Sequence, residues 1–188
     1  MYQVNRTKYS ETLRALADNQ VDGAGSLTGA GSGYDPRFAF AYAASTKGPN
    51  LNGKYPANNF AANSENCTLF YLRLSEIYLI HAEAEARKAG GNLEDAVTSL
   101  NTIRVRAGVD EFEVSDKATL LNQIRQEKRL ELFFENGESW FDLVRYDRLG
   151  DISAFAEKAS LTSTTQFILP IPLNVLTANT LLVKNPGY

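Results

Sequence analysis

The stretch TLFYLRLSEIYLIHAEAEARKA, residues Thr68–Ala89, is the longest nearly continuous helical pattern in the sequence, and the pair Gly90-Gly91 follows it directly. Its apolar side chains recur at helical spacing, so the stretch predicts one long α-helix that ends at the glycines. The first half is apolar on nearly every side, which is typical of a buried helix. Small alanine side chains in the second half would let a neighbouring helix approach closely.

A second helix follows the glycine pair. Asn92 is a favourable N-cap, the apolar residues after it form one helical face, and Gly108 is a favourable helix end. Thr68–Ala89 and Asn92–Ala107 are therefore predicted to form an antiparallel hairpin, the unit from which tetratricopeptide-type arrays are built. No second copy of this hairpin is visible in the sequence.

The rest of the chain adds more helices and one long irregular stretch. Val21–Asn66 is rich in Gly, Asn, Ser and Ala, and irregular stretches of that length are usually functional or disordered. We predict a single, mainly α domain over residues 1–188, with tetratricopeptide-like helical hairpins, long irregular loops and little sheet. The further helices are predicted over about Thr7–Asn19, from Ser115 or Asp116 to Glu135, from Trp140 to Gly150 and over Ile152–Ala159.

Composition and charge exclude several classes of function. The net charge is −3 and no basic stripe is present, so nucleic acid is not an expected partner. No apolar run approaches the roughly 20 residues of a membrane span, and Met1–Ser10 lacks the apolar core of a signal peptide. The single cysteine, Cys67, excludes an intramolecular disulfide and is expected to be an incidental thiol.

No catalytic or metal-binding constellation emerges from the motifs. His81, the only histidine, has Glu85 four residues later, but two ligands do not make a metal site. No serine lies in a nucleophile elbow, and the glycines of Gly23–Gly33 do not follow a strand as those of a phosphate-binding loop do. We therefore expect a structural role for His81, no catalysis, and no metal or cofactor.

The third long helix carries like charges at one-turn spacing. These rows are Glu127, Glu131 and Glu135, and Arg125 and Arg129. Because like charges four residues apart repel each other on an isolated helix, we expect the acidic row to face cations from other elements. Arg104 and Arg106 on the preceding helix are the predicted partners of Glu127 or Glu131. A solvated helix face with tolerated repulsion is the alternative.

The irregular stretch Gly33–Asn59 combines aromatic rings with hydrogen-bonding side chains. Sugars stack their C–H faces on such rings and bond their hydroxyl groups to amides and carboxylates. The predicted ligand-binding residues are Tyr34, Asn52, Tyr55 and Asn58. The alternative is that these aromatic side chains only pin the loop onto the helices. Trp140, which begins a helix among apolar residues, is expected to pack in the core.

Six short segments have a characteristic order along the chain. They are YLRLSEIYLIHAEA (Tyr71–Ala84), LNTIRVRAG (Leu100–Gly108), EKRLEL (Glu127–Leu132), WFDLVR (Trp140–Arg145), LPIP (Leu169–Pro172) and NPGY (Asn185–Tyr188). Together they resemble the SusD/RagB family, over about Asp35–Tyr188. Two departures bear on local ion pairs: Ser139 and Lys128 stand where the family usually has arginine. Arg37, in the sequence Asp35-Pro36-Arg37, looks like part of a scaffold motif and is expected to form a buried ion pair.

The resemblance implies a SusD-like C-terminal region of a surface-exposed outer-membrane lipoprotein. Such proteins capture glycans or other nutrients for a SusC-type TonB-dependent transporter. We expect the chain to be a C-terminal fragment, since the lipoprotein signal and the N-terminal helical region of such proteins are not in the sequence. Because the matched motifs are scaffold, they transfer no ligand residue. The alternative function is a helical-hairpin module that docks the transporter without contacting the ligand.

Overall fold

The computed structural model describes residues 35, 37, 70–114, 116–133 and 135–188. All regular elements within these residues are helical, which confirms the mainly α fold. The α-helices are α1 (Leu74–Arg87), α2 (Leu93–Ala107), α3 (Lys117–Glu131), α4 (Glu138–Leu149), α5 (Ala154–Glu157) and α6 (Leu173–Ala178), with a 3-10 turn at Thr164–Phe167 before α6. The predicted helix Thr7–Asn19 and Cys67 lie outside the described residues. The chain divides into two compact units, Met1–Ser139 and Trp140–Tyr188.

The predicted hairpin is the centre of the first unit. α1 packs along α2, and α3 packs against both helices. Ala82 and Ala86 of α1 lie in the core, as the close approach of a neighbouring helix requires, whereas Ala84 is exposed. The likeness to a tetratricopeptide array stays a prediction. The core of this unit consists of Leu79, Ala82, Ala86, Ala96, Val97, Leu100, Ile103, Leu120 and Ile124.

Side-chain caps explain where α2 and α3 begin. The side-chain oxygen of Asn92 accepts a hydrogen bond from the backbone N–H of Glu94 at 2.9 Å. Asp116, one of the two predicted cap residues, accepts from the backbone N–H groups of Ala118 and Thr119 at 2.9 and 3.0 Å. These bonds satisfy N–H groups that have no partner within the helix. Gly108 caps the C-terminus of α2, and its φ of 76° is the left-handed conformation that glycine adopts readily.

The predicted start and burial of the first hairpin helix are wrong. α1 begins at Leu74 instead of Thr68, because Arg73 has an extended backbone and the residues described before it are not helical. The apolar first half is not buried on all sides, since α1 packs in the core through one face only. The exposed apolar residues here are Tyr71, Leu72, Leu74, Ile77, Tyr78 and Ile80.

The second unit has a small apolar cluster of its own. Ala154, Leu161 and Phe167 are buried, and Trp140 packs against them with Leu143 and Val144. The prediction that Trp140 packs in a core is therefore confirmed. The helix predicted over Ile152–Ala159 is only the short α5. Asn185 of the NPGY segment donates a hydrogen bond to the carbonyl of Leu169 at 2.7 Å and so ties the two closing motifs together.

Candidate functional site

The four ligand-binding residues predicted from the sequence lie outside the described residues. They are Tyr34, Asn52, Tyr55 and Asn58. Within Gly33–Asn59 only Asp35 and Arg37 are described. The ligand assignment therefore stays a prediction, but the two described residues of this stretch occupy a specific position in the first unit.

Arg37 forms the buried ion pair that was predicted for it. Its Nε and Nη2 donate to the two carboxylate oxygens of Asp35 at 2.9 and 2.7 Å, and its backbone N–H also donates to Asp35. The Nη1 of Arg37 donates to Glu127 and, at 3.1 Å, to Glu131. Asp35 is completely inaccessible to solvent. Burial alone would lower the pKa of Arg37, but Asp35 and Glu127 raise it, so the guanidinium stays charged.

The acidic row of α3 faces arginines of α2, as the sequence predicted. Arg104 donates to Glu127 with 2.9 Å between Nη1 and Oε2, and Arg106 donates to Glu131 with 2.5 Å between Nη2 and Oε1. The first pair is buried, whereas the Arg106 side chain is 57% exposed. The solvated-face alternative is therefore wrong for Glu127 and Glu131, which are both buried.

Arg73 is a partner that sequence reasoning missed. Its Nε donates to Glu135 at 2.6 Å, and its Nη1 donates to Glu131 at 2.5 Å. The acidic row contains three glutamates, whereas only two arginines of α2 were predicted to face it. This difference indicates that a further cation should contact the row. The extended backbone at the start of α1, which was also missed, accompanies this contact.

The surrounding charges keep Glu131 ionised. Burial alone would raise its pKa, but the positive charges of Arg73, Arg37 and Arg106 outweigh burial and lower the pKa to about 2. A carboxylate with such a low pKa is a weak base at neutral pH and is poorly suited to proton transfer. We call the set Asp35, Arg37, Arg73, Arg104, Arg106, Glu127, Glu131 and Glu135 the charge cluster.

Lys128, which replaces an arginine of the family pattern, keeps a buried partner. Its ammonium lies 3.5 Å from Glu83 of α1, and both side chains are 6% exposed. Glu83 also accepts from Arg87 one turn later at 2.6 Å. Lysine at position 128, where the family usually has arginine, therefore still forms an ion pair between α1 and α3.

His81 connects the two helices of the hairpin. Its Nδ1 lies 2.8 Å from the hydroxyl of Ser99 on α2, and its Nε2 lies 3.8 Å from Glu85. Residues 70–114, 116–133 and 135–188, together with 35 and 37, contain no group of three or more side chains arranged to hold a metal ion. The contact with Ser99 agrees with the structural role expected for His81.

One face of α1 presents apolar side chains to solvent. Leu74, Ile77 and Ile80 recur at three-residue spacing and therefore share a face. They are 70%, 45% and 46% exposed. Exposed apolar patches of this kind mark interaction surfaces when they are contiguous.

The second unit contains a small pocket between its two closing motifs. Its volume is about 150 Å³, below the roughly 300–1,000 Å³ of typical small-molecule sites. The lining residues are Pro170, Ile171, Leu173, Leu176, Lys184, Asn185 and Tyr188. None of the helices in the described part of the chain combines the length and apolar composition that a membrane span requires.

The comparison with protein families identifies the chain. The model of the SusD family matches residues 4–188. This chain belongs to the SusD family. The resemblance seen in the six sequence segments is thereby confirmed, and the match extends toward the N-terminus beyond Asp35, where those segments placed its start. A search of curated proteins gave no match.

The solved structure of a SusD-like protein resembles the chain in fold. A SusD-like protein from Bacteroides fragilis NCTC 9343 is 21% identical, with a TM-score of 0.56, and the match covers 93% of this chain and 46% of that one. A SusD superfamily protein from Parabacteroides distasonis ATCC 8503 is 29% identical with a TM-score of 0.48, over 61% of this chain and 26% of that one. The chain thus spans less than half the length of these SusD structures.

Proposed function

We propose that the protein binds a glycan or another nutrient at the bacterial cell surface, without catalysis, and delivers it to a SusC-type TonB-dependent transporter. The observation that carries this proposal is the match of the SusD family model over residues 4–188. The protein would act as an outer-membrane lipoprotein, and the chain would supply the C-terminal portion of it.

The charge cluster supports a non-catalytic role for its carboxylates. Glu127 and Glu131 each accept hydrogen bonds from at least two arginines and are nearly inaccessible to solvent. General acid–base catalysis needs a carboxyl group that reaches the substrate and has a pKa near the working pH. The pKa of Glu131, at about 2, is far from that range. These side chains are therefore better suited to holding segments together.

Tyr34, Asn52, Tyr55 and Asn58 are the ligand-binding residues that we propose. Aromatic faces and amide groups suit the stacking and hydrogen bonding of sugars.

The test measures binding of the protein, as its gene encodes it, to a panel of soluble neutral and acidic polysaccharides by affinity electrophoresis. We expect retardation by at least one polysaccharide and no change in the polysaccharide after incubation. Shortened polysaccharide chains would contradict the non-catalytic assignment, and no retardation by any of them would contradict glycan as the nutrient.

A second candidate function is supported by the exposed apolar face of α1. Leu74, Ile77 and Ile80 could dock a protein such as the transporter, so that the hairpin itself contacts no ligand. Ile77→Glu should then abolish co-purification with the SusC-type transporter of the same bacterium and leave polysaccharide binding unchanged. Glu94→Lys, an exposed change on α2, serves as the control. Unchanged co-purification of Ile77→Glu would contradict this second candidate.

A further inference from the structure

Two arginines that are far apart in the sequence meet on one carboxylate. Glu131 accepts from the Nη1 of Arg37 through Oε2 at 3.1 Å and from the Nη1 of Arg73 through Oε1 at 2.5 Å. Arg73 also donates from Nη2 to the backbone carbonyl of Glu131 at 2.5 Å. The two arginines therefore occupy different oxygens of the same side chain.

Each arginine also contacts a second carboxylate of the acidic row. Arg37 binds Glu127, four residues before Glu131, and Arg73 binds Glu135, four residues after it. Glu131 is thus the carboxylate that the two arginines share. Within the acidic row, Arg37 and Arg73 therefore share Glu131 and differ in their second glutamate, so the roles of these contacts can be separated by mutation.

We propose that Glu131 is a staple, meaning a single side chain that holds the two ends of the polypeptide from Arg37 to Arg73 together on α3. The Glu131 side chain is 2% exposed, and those of Arg37 and Arg73 are 14% and 24% exposed. Charge-assisted hydrogen bonds are strong in such a poorly hydrated site. The entropic cost of joining two chain ends rises only slowly with the length between them, so a few strong bonds can hold a long segment.

Arg106 has a different role in the cluster. It contacts the same Oε1 of Glu131, but its side chain is 57% exposed and it lies on α2, outside the polypeptide from Arg37 to Arg73. The staple holds whether or not the protein binds a nutrient. If the proposed function is correct, three of the proposed ligand residues, Asn52, Tyr55 and Asn58, belong to the polypeptide whose two ends Glu131 fixes.

The test uses trypsin, which must take an arginine side chain into its specificity pocket before it cuts. An arginine that is held in the charge cluster is not available, so the bonds Arg37–Phe38 and Arg73–Leu74 report separately on their own arginines. Brief digestion of the 188-residue chain, followed by mass spectrometry, gives the initial rate at each bond. Cleavage after the exposed Lys158 serves as the internal reference.

Glu131→Gln should accelerate cleavage at both bonds by roughly tenfold or more. Glu127→Gln should accelerate cleavage only at the bond after Arg37, and Glu135→Gln should accelerate it only at the bond after Arg73. Arg106→Gln should accelerate cleavage at neither bond. The staple is overturned if Glu131→Gln accelerates only one bond or neither. If Glu131→Gln unfolds the helices, Glu131→Asp replaces it, because the shorter side chain keeps the charge. Faster cleavage at both bonds then supports the staple, and faster cleavage at one bond or none overturns it.

Discussion

Arg104 of α2 and Glu127 of α3 form an ion pair in which Nη1 and Oε2 are 2.9 Å apart and the side chains are 5% and 0% exposed. Arg104 also donates from Nε to the carbonyl of Asp110 at 2.7 Å, so one guanidinium connects α2, α3 and the segment after α2. A buried pair of this kind is costly to break, because removal of Arg104 leaves the desolvated Glu127 carboxylate with Arg37 but without its second positive partner.

Arg104→Met should therefore lower the free energy of unfolding by about 3 kcal/mol. Arg106→Met is the matched control, since Arg106 lies on the same helix and binds Glu131 with a largely exposed side chain. The control should cost about 1 kcal/mol or less. Urea denaturation of both variants provides the measurement. Equal losses would show that burial of the Arg104 pair does not determine its contribution.

The low pKa of Glu131 predicts how stability depends on pH. Burial would raise the pKa of Glu131, but the positive charges of Arg73, Arg37 and Arg106 lower it to about 2 in the folded chain. The pKa of a glutamate in an unfolded chain is about 4.3. The folded state thus binds this proton more weakly than the unfolded state does. The contribution of Glu131 to the free energy of unfolding is complete above the pKa that this residue has in the unfolded chain. It is lost as the pH falls from about 5 toward 2.

Comparison with Glu131→Gln isolates this contribution. Between pH 6 and pH 3, the wild-type chain should lose about 2 kcal/mol more of its free energy of unfolding than the variant does. Denaturant titrations at several pH values in this interval measure the difference. If the two curves run parallel, the arginines do not stabilise the charged form of Glu131.

The turn of the hairpin predicts that its two glycines differ in how much stability is lost when each is replaced by alanine. A Cβ at Gly91 would overlap the backbone carbonyl oxygen of Glu85, whereas a Cβ at Gly90 would meet nothing within 4 Å. Gly90 has a φ of 69°, so Gly90→Ala should cost about 1 kcal/mol through backbone strain alone. Gly91→Ala must displace backbone and should cost roughly 2–3 kcal/mol. Thermal unfolding of both variants measures these losses of stability. A larger loss for Gly90→Ala than for Gly91→Ala would contradict the predicted order.

Trp140 should contribute to the stability of the second unit. It packs with Leu143 and Val144 against Ala154, Leu161 and Phe167, so Trp140→Ala should lower the free energy of unfolding by about 3 kcal/mol. Leu149→Ala, at an exposed position of the same helix, is the control and should have little effect. An unchanged melting temperature for Trp140→Ala, together with lost polysaccharide binding, would assign Trp140 to a ligand site instead.

The hairpin could be predicted from the sequence because its signals are local. Gly90 and Gly91 set the turn, and Asn92 and Asp116 supply caps through bonds to residues two or three positions away. The acidic row likewise revealed, through like-charge repulsion, that Glu127 and Glu131 need cations from another element. Signals of this kind require no knowledge of the three-dimensional structure.

The start of α1 and the partners of Glu131 could not be predicted in the same way. The apolar pattern continues on both sides of Arg73, but this residue has an extended backbone and forms a long-range ion pair with Glu131. The pattern also does not distinguish a helix buried on all sides from one with two apolar faces, of which only one packs. Arg37 reaches Glu131 across 94 positions of the sequence, which no local spacing reveals.

The last prediction concerns the proposed ligand residues. Stacking of a sugar on an aromatic ring depends on the ring face, so Tyr34→Ala and Tyr55→Ala should each weaken binding to a retained polysaccharide, by about tenfold where the ring carries 1–2 kcal/mol. Tyr34→Phe and Tyr55→Phe keep the ring and should bind nearly as well as wild type.

Tyr71→Ala, at an exposed tyrosine outside Gly33–Asn59, is the control for a general effect of removing a surface ring. Affinity electrophoresis of the protein as its gene encodes it measures binding, and the melting temperature shows that each variant is folded. Wild-type affinity in both folded alanine variants would assign these rings to the scaffold, and binding would then depend on other residues.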